Sequence, residues 1–149
     1  MGQSLTQNYL HVVFQTKNTA PLISPEIENS VFEYLGGICN KLNSPSITIG
    51  GHLDHVHILC RLSKNISLSE FIQKLKSNSS KLIKTKSPSS KNFYWQDGYG
   101  AFSVSQSQVE SLTKYIKNQH IHHQKISFKE EYIDLLKKYK LDYNESYLW

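Results

Sequence analysis

Apolar residues in this chain recur with period two in some stretches and with helical spacing in others. From Leu5 to Thr16 they alternate, with Leu10, Val12 and Phe14 on one side and Tyr9, His11, Val13 and Gln15 on the other. Successive strand side chains point to opposite faces, and apolar groups on both faces mark a central strand. Asn18 to Ile23, with Pro21, reads as a turn. Ser24 and Pro25 supply an N-cap and a first helical position. The helix predicted from there runs to about Asn43, with Ile27, Val31, Tyr34, Leu35 and Ile38 facing a core, and Gly36-Gly37 weakens it. Ser46 to Gly50 and Asp54 to Leu62 read as strands joined by a tight, glycine-containing connection. Ser67-Leu68-Ser69-Glu70 is a capping box. It opens a second helix whose buried stripe is Leu68, Phe71, Ile72, Leu75, Leu82 and Ile83. Lys86 to Asn92 is a loop. Phe93 to Ser105 reads as strand, turn at Asp97-Gly98, strand. A third helix starts near Ser105 or Ser107, and Ser127-Phe128-Lys129-Glu130 caps a fourth that reaches about Tyr139. The order βαββαβ followed by helices predicts one α+β domain over residues 1–149. It is a ferredoxin-like or RRM-like antiparallel sheet with helices packed on it and further C-terminal helices.

The chemistry concentrates at two places on this pattern. His55 and His57 are two apart on a strand, so they project together while Val56 and Ile58 turn away. A neutral imidazole is a good ligand for divalent metals, and each histidine can give one ring nitrogen. Asp54 has the opposite parity, suited to capping the turn or orienting a neighbour, and His52 falls outside the set. About sixty residues on, Tyr115 and Gln119 are four apart on the third helix and share a face. Val109, Leu112 and Ile116 form the apolar seam of that helix, and Tyr115, Gln119 and His122 run along its edge, where a side chain can reach a cleft. Two imidazoles, an amide oxygen and a phenol could converge on a metal and a phosphate.

These segments resemble the HUH-type single-tyrosine transposases, the small enzymes of the insertion sequence 200/605 group and their repeat-associated relatives. The resemblance spans His11 to Lys17, Gly51 to Leu59, Trp95 to Val104, Tyr115 to His123 and Tyr147 to Trp149. It implies the same α+β fold, with Tyr115 as nucleophile and Gln119 as a third metal ligand beside His55 and His57. It also implies that His122 and His123 support the ligands or contact phosphate. Two histidines and an amide are neutral, so the charge on Mg²⁺ or Mn²⁺ would be uncompensated and would polarise a phosphodiester strongly. The product implied is a 5′-phosphotyrosine, which conserves the phosphodiester bond energy for rejoining. The substrate implied is single-stranded DNA with hairpin ends. A homodimer is implied too, in which the helix bearing Tyr115 could serve the histidines of the other subunit.

Charge fits a polyanion partner. Net charge is +5 and the sequence pI about 9.1, and such a balance favours nucleic acid. Lys64 to Lys91 holds seven lysines against one acid, Glu70. Lys74, Lys81, Lys84, Lys86 and Lys91 are therefore candidate DNA contacts. Among 17 lysines and arginines only Arg61 is an arginine, so planar bidentate readout of guanine is not the basis of sequence choice. Tyr94, Trp95, Tyr99 and Phe102 could stack on unpaired bases or fill the sheet core. Cys39 and Cys60 sit far apart in apolar settings and read as reduced thiols, which together with the lack of any membrane-length apolar run suggests a cytoplasmic protein. Three functions fit: a transposase acting on single strands, a domesticated nuclease that processes palindromes with the same site, and an RRM-like binding module without chemistry.

Overall fold

A computed structural model describes residues 1–149. The sheet contains β1 (Tyr9–Gln15), β2 (Ser46–His52), β3 (His55–Arg61) and β4 (Gly100–Ser103). The helices are α1 (Pro25–Lys41), α2 (Leu68–Lys84), α3 (Val109–Lys117), α4 (Gln119–His122) and α5 (Phe128–Lys138). Strand order is β2-β3-β1-β4, antiparallel throughout, which is the predicted ferredoxin-like topology. The serine half of both capping boxes forms: Ser67 Oγ accepts from the Glu70 amide and Ser127 Oγ from the Glu130 amide, each at 3.2 Å.

The two faces of the sheet do different work. Leu10, Val12 and Phe14 of β1 and Val56, Ile58 and Cys60 of β3 pack against Val31 and Leu35 of α1 and Phe71, Leu75 and Ile83 of α2. Parity then turns His11, His55 and His57 to the other face. There α5 is anchored by Phe128, Tyr132 and Leu136 against Val13 and Phe102, and α3 by Ile116 against Leu59 and Val104. Each such side chain, fully buried, contributes about 1.5–3 kcal/mol. The C-terminal helices thus form a lid over the histidine face.

Three expectations are corrected. The first strand starts at Tyr9, not Leu5, because Tyr9 pairs with Arg61 at the end of β3 and Leu5 has no strand to pair with. Phe93 to Ser105 holds one strand, β4, and not two; its first part makes only a single bridge, at Trp95. Trp95 bridges Thr16 and β4 pairs with Leu10 to Val13, so both pieces run along the same neighbour. The intervening loop, with Gly98 at φ +85°, is tied down by Lys76 Nζ, which donates to the carbonyls of Gln96 and Gly98. The third predicted helix breaks at Asn118 (φ −98°, ψ 20°), which ends α3 and starts α4.

Candidate active site

β3 lies between β2 and β1, so its side chains are covered from both flanks. In register, His57 sits between Gly50 and Val13, and His55 between His52 and Gln15. Both histidines are fully buried. Gly50 has a specific role in this. A Cβ there would fall 2.8 Å from Ile116 Cγ2 and closer still to the Ile116 carbonyl. The missing side chain lets the last turn of α3 sit on β2, which carries Tyr115 to His57, with ring centroids 5.8 Å apart.

Asp54 Oδ1 lies 2.7 Å from His55 Nδ1. A carboxylate only accepts, so Nδ1 carries the proton and His55 presents Nε2 to the cluster. Gln119 Nε2 donates to Glu131 Oε2 at 2.9 Å, which fixes the amide orientation. Its Oε1 then faces His55 Nε2 at 2.8 Å and His123 Nε2 at 2.9 Å. With neutral His55 these are two acceptors pointing at each other. Two acceptors this close suit adjacent positions on one shared cation. The ligand atoms of His55, His57 and Glu131 all lie within 4.8 Å of one another. A nitrogen–oxygen donor set with a deficit of protons fits a divalent metal.

Glu131, on α5, is the hub. It is 2% exposed. Its Oε1 lies 3.0 Å from His57 Nε2, 3.2 Å from His123 Nε2 and 3.4 Å from His55 Nε2. Its Oε2 accepts from the Tyr115 hydroxyl and from Gln119. Burial works against its charge, but the hydrogen bonds from His123 and His57 outweigh it and hold the carboxyl well below the usual range. His57 goes the other way. Burial pushes its pKa down, against the pull of Glu131, so it is neutral. Its Nδ1 meets His11 Nε2 at 2.7 Å. His11 is itself pushed down to about 3, by burial first and His57 second. His11 can accept or donate, so it can fix either tautomer of His57. Burial opposes protonation of His123 too. Even so, Glu131 and the carbonyl of Ile126 raise its pKa, and both its ring nitrogens act as donors. The Tyr115 phenol is pushed up by burial and then by Glu131, so it stands protonated as a donor. His122 packs its ring 5.3 Å from that of Tyr115. Its Nε2 is 3.1 Å from Glu131 Oε2 but misaligned for a hydrogen bond, which leaves it a buried nitrogen without a partner.

His55, His57, Tyr115, Gln119, His122 and His123 thus meet within one chain. A cavity of about 200 Å³, lined by His11, Gln108, Leu112, Tyr115, Lys138 and Tyr139 among others, opens beside the phenol. The lysines are elsewhere. α2 covers the opposite face of the sheet, so Lys74, Lys81 and Lys84 lie across the sheet from the histidines, and Lys86 and Lys91 follow in the exposed loop beyond. Lys74 pairs with Glu70 at 3.3 Å, and Lys84 Nζ sits 4.2 Å over the Tyr94 ring. Trp95 and Phe102 are core residues; Tyr94 and Tyr99 are exposed. His52 stays out of the cluster and contacts His120, at 2.7 Å between Nδ1 atoms.

Two central residues are not apparent from the sequence, Glu131 and His11. Acids are common in a first helical turn, which hides Glu131 beside Glu130. Its spacing three from Phe128 and four from Leu135 is the available signal, since it places a carboxylate on an apolar stripe. For His11 the signal is strand parity with Val13. Glu131 adds a buried carboxylate beside the neutral set of two histidines and an amide.

Among the solved structures that share this fold are two transposases. One is a candidate transposase from Deinococcus radiodurans R1, at 20% identity, covering 80% of this chain and 96% of its own, with a TM-score of 0.62. The other is a REP-associated tyrosine transposase bound to a REP hairpin, at 11% identity, covering 83% of this chain and 72% of its own, with a TM-score of 0.60. No curated protein matches the chain. Residues 4–119 match the family described as IS200-like transposases, a stretch that takes in the whole sheet, α1 to α3 and Gln119. With most of its length and its fold accounted for in this way, the chain belongs to the IS200-like transposase family.

Proposed function

We propose that this transposase cleaves and rejoins single-stranded DNA at hairpin-bearing ends, with Tyr115 as the nucleophile. The observation that supports the reading is the meeting of a phenol with two histidines and a glutamine at a buried, proton-deficient cluster. The phenolic oxygen forms a bond to phosphorus and the bond from phosphorus to the 3′ oxygen breaks. The phenolic proton ends on that oxygen. The products are a 5′-phosphotyrosine and a free 3′-hydroxyl, and the reverse step with another 3′-hydroxyl joins new strands. His55, His57 and Gln119 would hold Mg²⁺ or Mn²⁺. That ion supplies Lewis-acid polarisation of the phosphate.

The chain's own residues do the rest. Asp54 keeps His55 in the tautomer that presents Nε2. His11, whose Nε2 lies 2.7 Å from His57 Nδ1, would do the same for His57 by accepting the Nδ1 proton. The cavity beside Tyr115 gives a strand access to the hydroxyl. Lys74, Lys81, Lys84, Lys86 and Lys91 bind phosphates on the other face of the sheet, away from the reacting bond. That separation suits a substrate with a recognised hairpin and a distant cleavage site. A hairpin is the ligand of one structural neighbour. The active protein would be a homodimer.

The test is incubation with Mg²⁺ or Mn²⁺ and a single-stranded hairpin substrate. The wild type should give a covalent protein–DNA adduct and Tyr115→Phe none, with hairpin binding retained. Cleavage by the phenylalanine variant would overturn the reading.

A further inference from the structure

The two oxygens of Glu131 face different partners. Oε1 is turned to His57, His123 and His55 at 3.0, 3.2 and 3.4 Å. Oε2 is turned to the Tyr115 hydroxyl and to Gln119. Burying a carboxylate this deeply is costly unless several charged or donor groups compensate it, and here they come from β3, α3, α4 and the turn that follows α4. For a residue that only ties α5 to the sheet, an apolar side chain of similar volume would do as well. The division of labour between the oxygens points to something else.

We propose that Glu131 joins nucleophile to metal: Oε1 completes the ligand set of the divalent cation with His55 and His57, while Oε2 holds the Tyr115 hydroxyl. The inference rests on the transesterase reading for its chemistry, but its ligand half stands on the cluster alone. Three features carry it. The Oε1 atom lies with the two histidine nitrogens in a group compact enough for one ion. The same carboxylate orients the amide of Gln119, so the other expected ligand depends on it as well. The Tyr115 hydroxyl is then one carboxylate away from the cation, which fixes the nucleophile relative to the phosphate that the cation would bind. Glu131 is a metal ligand and a positioning residue for Tyr115. The ligand set also carries one negative charge, so the bound ion keeps a net charge of +1.

The test separates the two halves. Mn²⁺ binding is measured on DNA-free protein by electron paramagnetic resonance. The Glu131→Gln variant should bind at least tenfold more weakly than the wild type, whereas Tyr115→Phe should bind equally well, because its hydroxyl sits on the other oxygen. At saturating Mn²⁺, Glu131→Gln should still cleave at least tenfold more slowly in a single turnover, with hairpin affinity unchanged. Unchanged Mn²⁺ affinity in Glu131→Gln would overturn the ligand assignment. Full recovery of rate at saturating Mn²⁺ would overturn the positioning role. A crystal of the wild type soaked with Mg²⁺ needs no variant to fold. It should place Oε1 about 2.1 Å from the ion, and an ion bound without Glu131 would overturn the proposal. If the wild type forms no DNA adduct while the Mn²⁺ and crystal results hold, the transesterase reading and the positioning half fail and the ligand assignment stands.

Discussion

Gly50→Ala puts one methyl group where α3 meets β2, far from any ligand atom in covalent terms. Its Cβ would lie 2.8 Å from Ile116 Cγ2, and ordinary contact begins at 3.4 Å. The gap must therefore open by at least 0.6 Å (3.4 − 2.8), and by more at the Ile116 carbonyl. The Ile116 methyl can rotate, but its carbonyl is backbone, so α3 lifts as a unit and takes Tyr115 with it. Overpacking of this kind costs about 1–3 kcal/mol. For a chain of this length that lowers the melting temperature by about 2–4 °C per kcal/mol. The effect on catalysis is larger. A nucleophile displaced by about 1 Å loses roughly 10²-fold in rate. Thermal melting and single-turnover cleavage at 25 °C, where the variant is still folded, separate the two effects. Gly37→Ala is the control. Nothing lies within 4 Å of its added Cβ, and α1 should be neutral to the change or gain up to about 1 kcal/mol. A Gly50→Ala protein with wild-type melting and wild-type cleavage would refute the claim that close approach at Gly50 sets the position of Tyr115.

Because the site residues meet within one chain, dimers mixed from His57→Ala and Tyr115→Phe subunits should not regain cleavage. Recovery in demonstrably mixed dimers would show that α3 is exchanged between subunits. Removing Lys81 and Lys84 together should flatten the plot of log hairpin affinity against log salt by about 0.7 for each single-strand phosphate that is no longer neutralised, without changing the rate for bound substrate. An unchanged slope would place the DNA elsewhere. Burial pushes the thiols of Cys39 and Cys60 up to about 12. At pH 8 their thiolate fraction is about 10⁻⁴, so alkylation of native protein should proceed only through unfolding. A thiol with a raised folded pKa keeps its proton while the unfolded chain loses its own. Stability should therefore fall above about pH 9 by roughly 1.4 kcal/mol per pH unit for each cysteine, and serine at both positions should flatten that slope.

The sheet was legible because alternation is a local signal. Val12 and Phe14 against His11 and Val13 already divides the molecule into a helix-packed face and a chemical face. Element ends were less so. Leu5 looks like strand, yet it is exposed because β3 runs out at Arg61, a fact set by tertiary pairing. Phe93 to Ser105 has strand propensity throughout, but Trp95 and Gly100 both pair with the first strand and its continuation, a choice the turn residues do not encode. Within the site, spacing reveals residues that share an element or its continuation: His55 with His57, Tyr115 with Gln119. Glu131 comes from α5 and reaches the cluster only through packing of Phe128, Tyr132 and Leu136 on the sheet. No short-range pattern announces that meeting.

The most direct test of the central claim is the identity of the covalent link. Wild-type protein is incubated with Mg²⁺ or Mn²⁺ and a hairpin strand labelled at each end in turn, and the adduct is digested and sequenced by mass spectrometry. The account predicts that only DNA on the 3′ side of the break stays bound, through its 5′-phosphate, on the peptide carrying Tyr115. The other fragment should end in a free 3′-hydroxyl. A link to Tyr139 or Tyr143, a 3′-linked adduct, or cleavage with no adduct would contradict it.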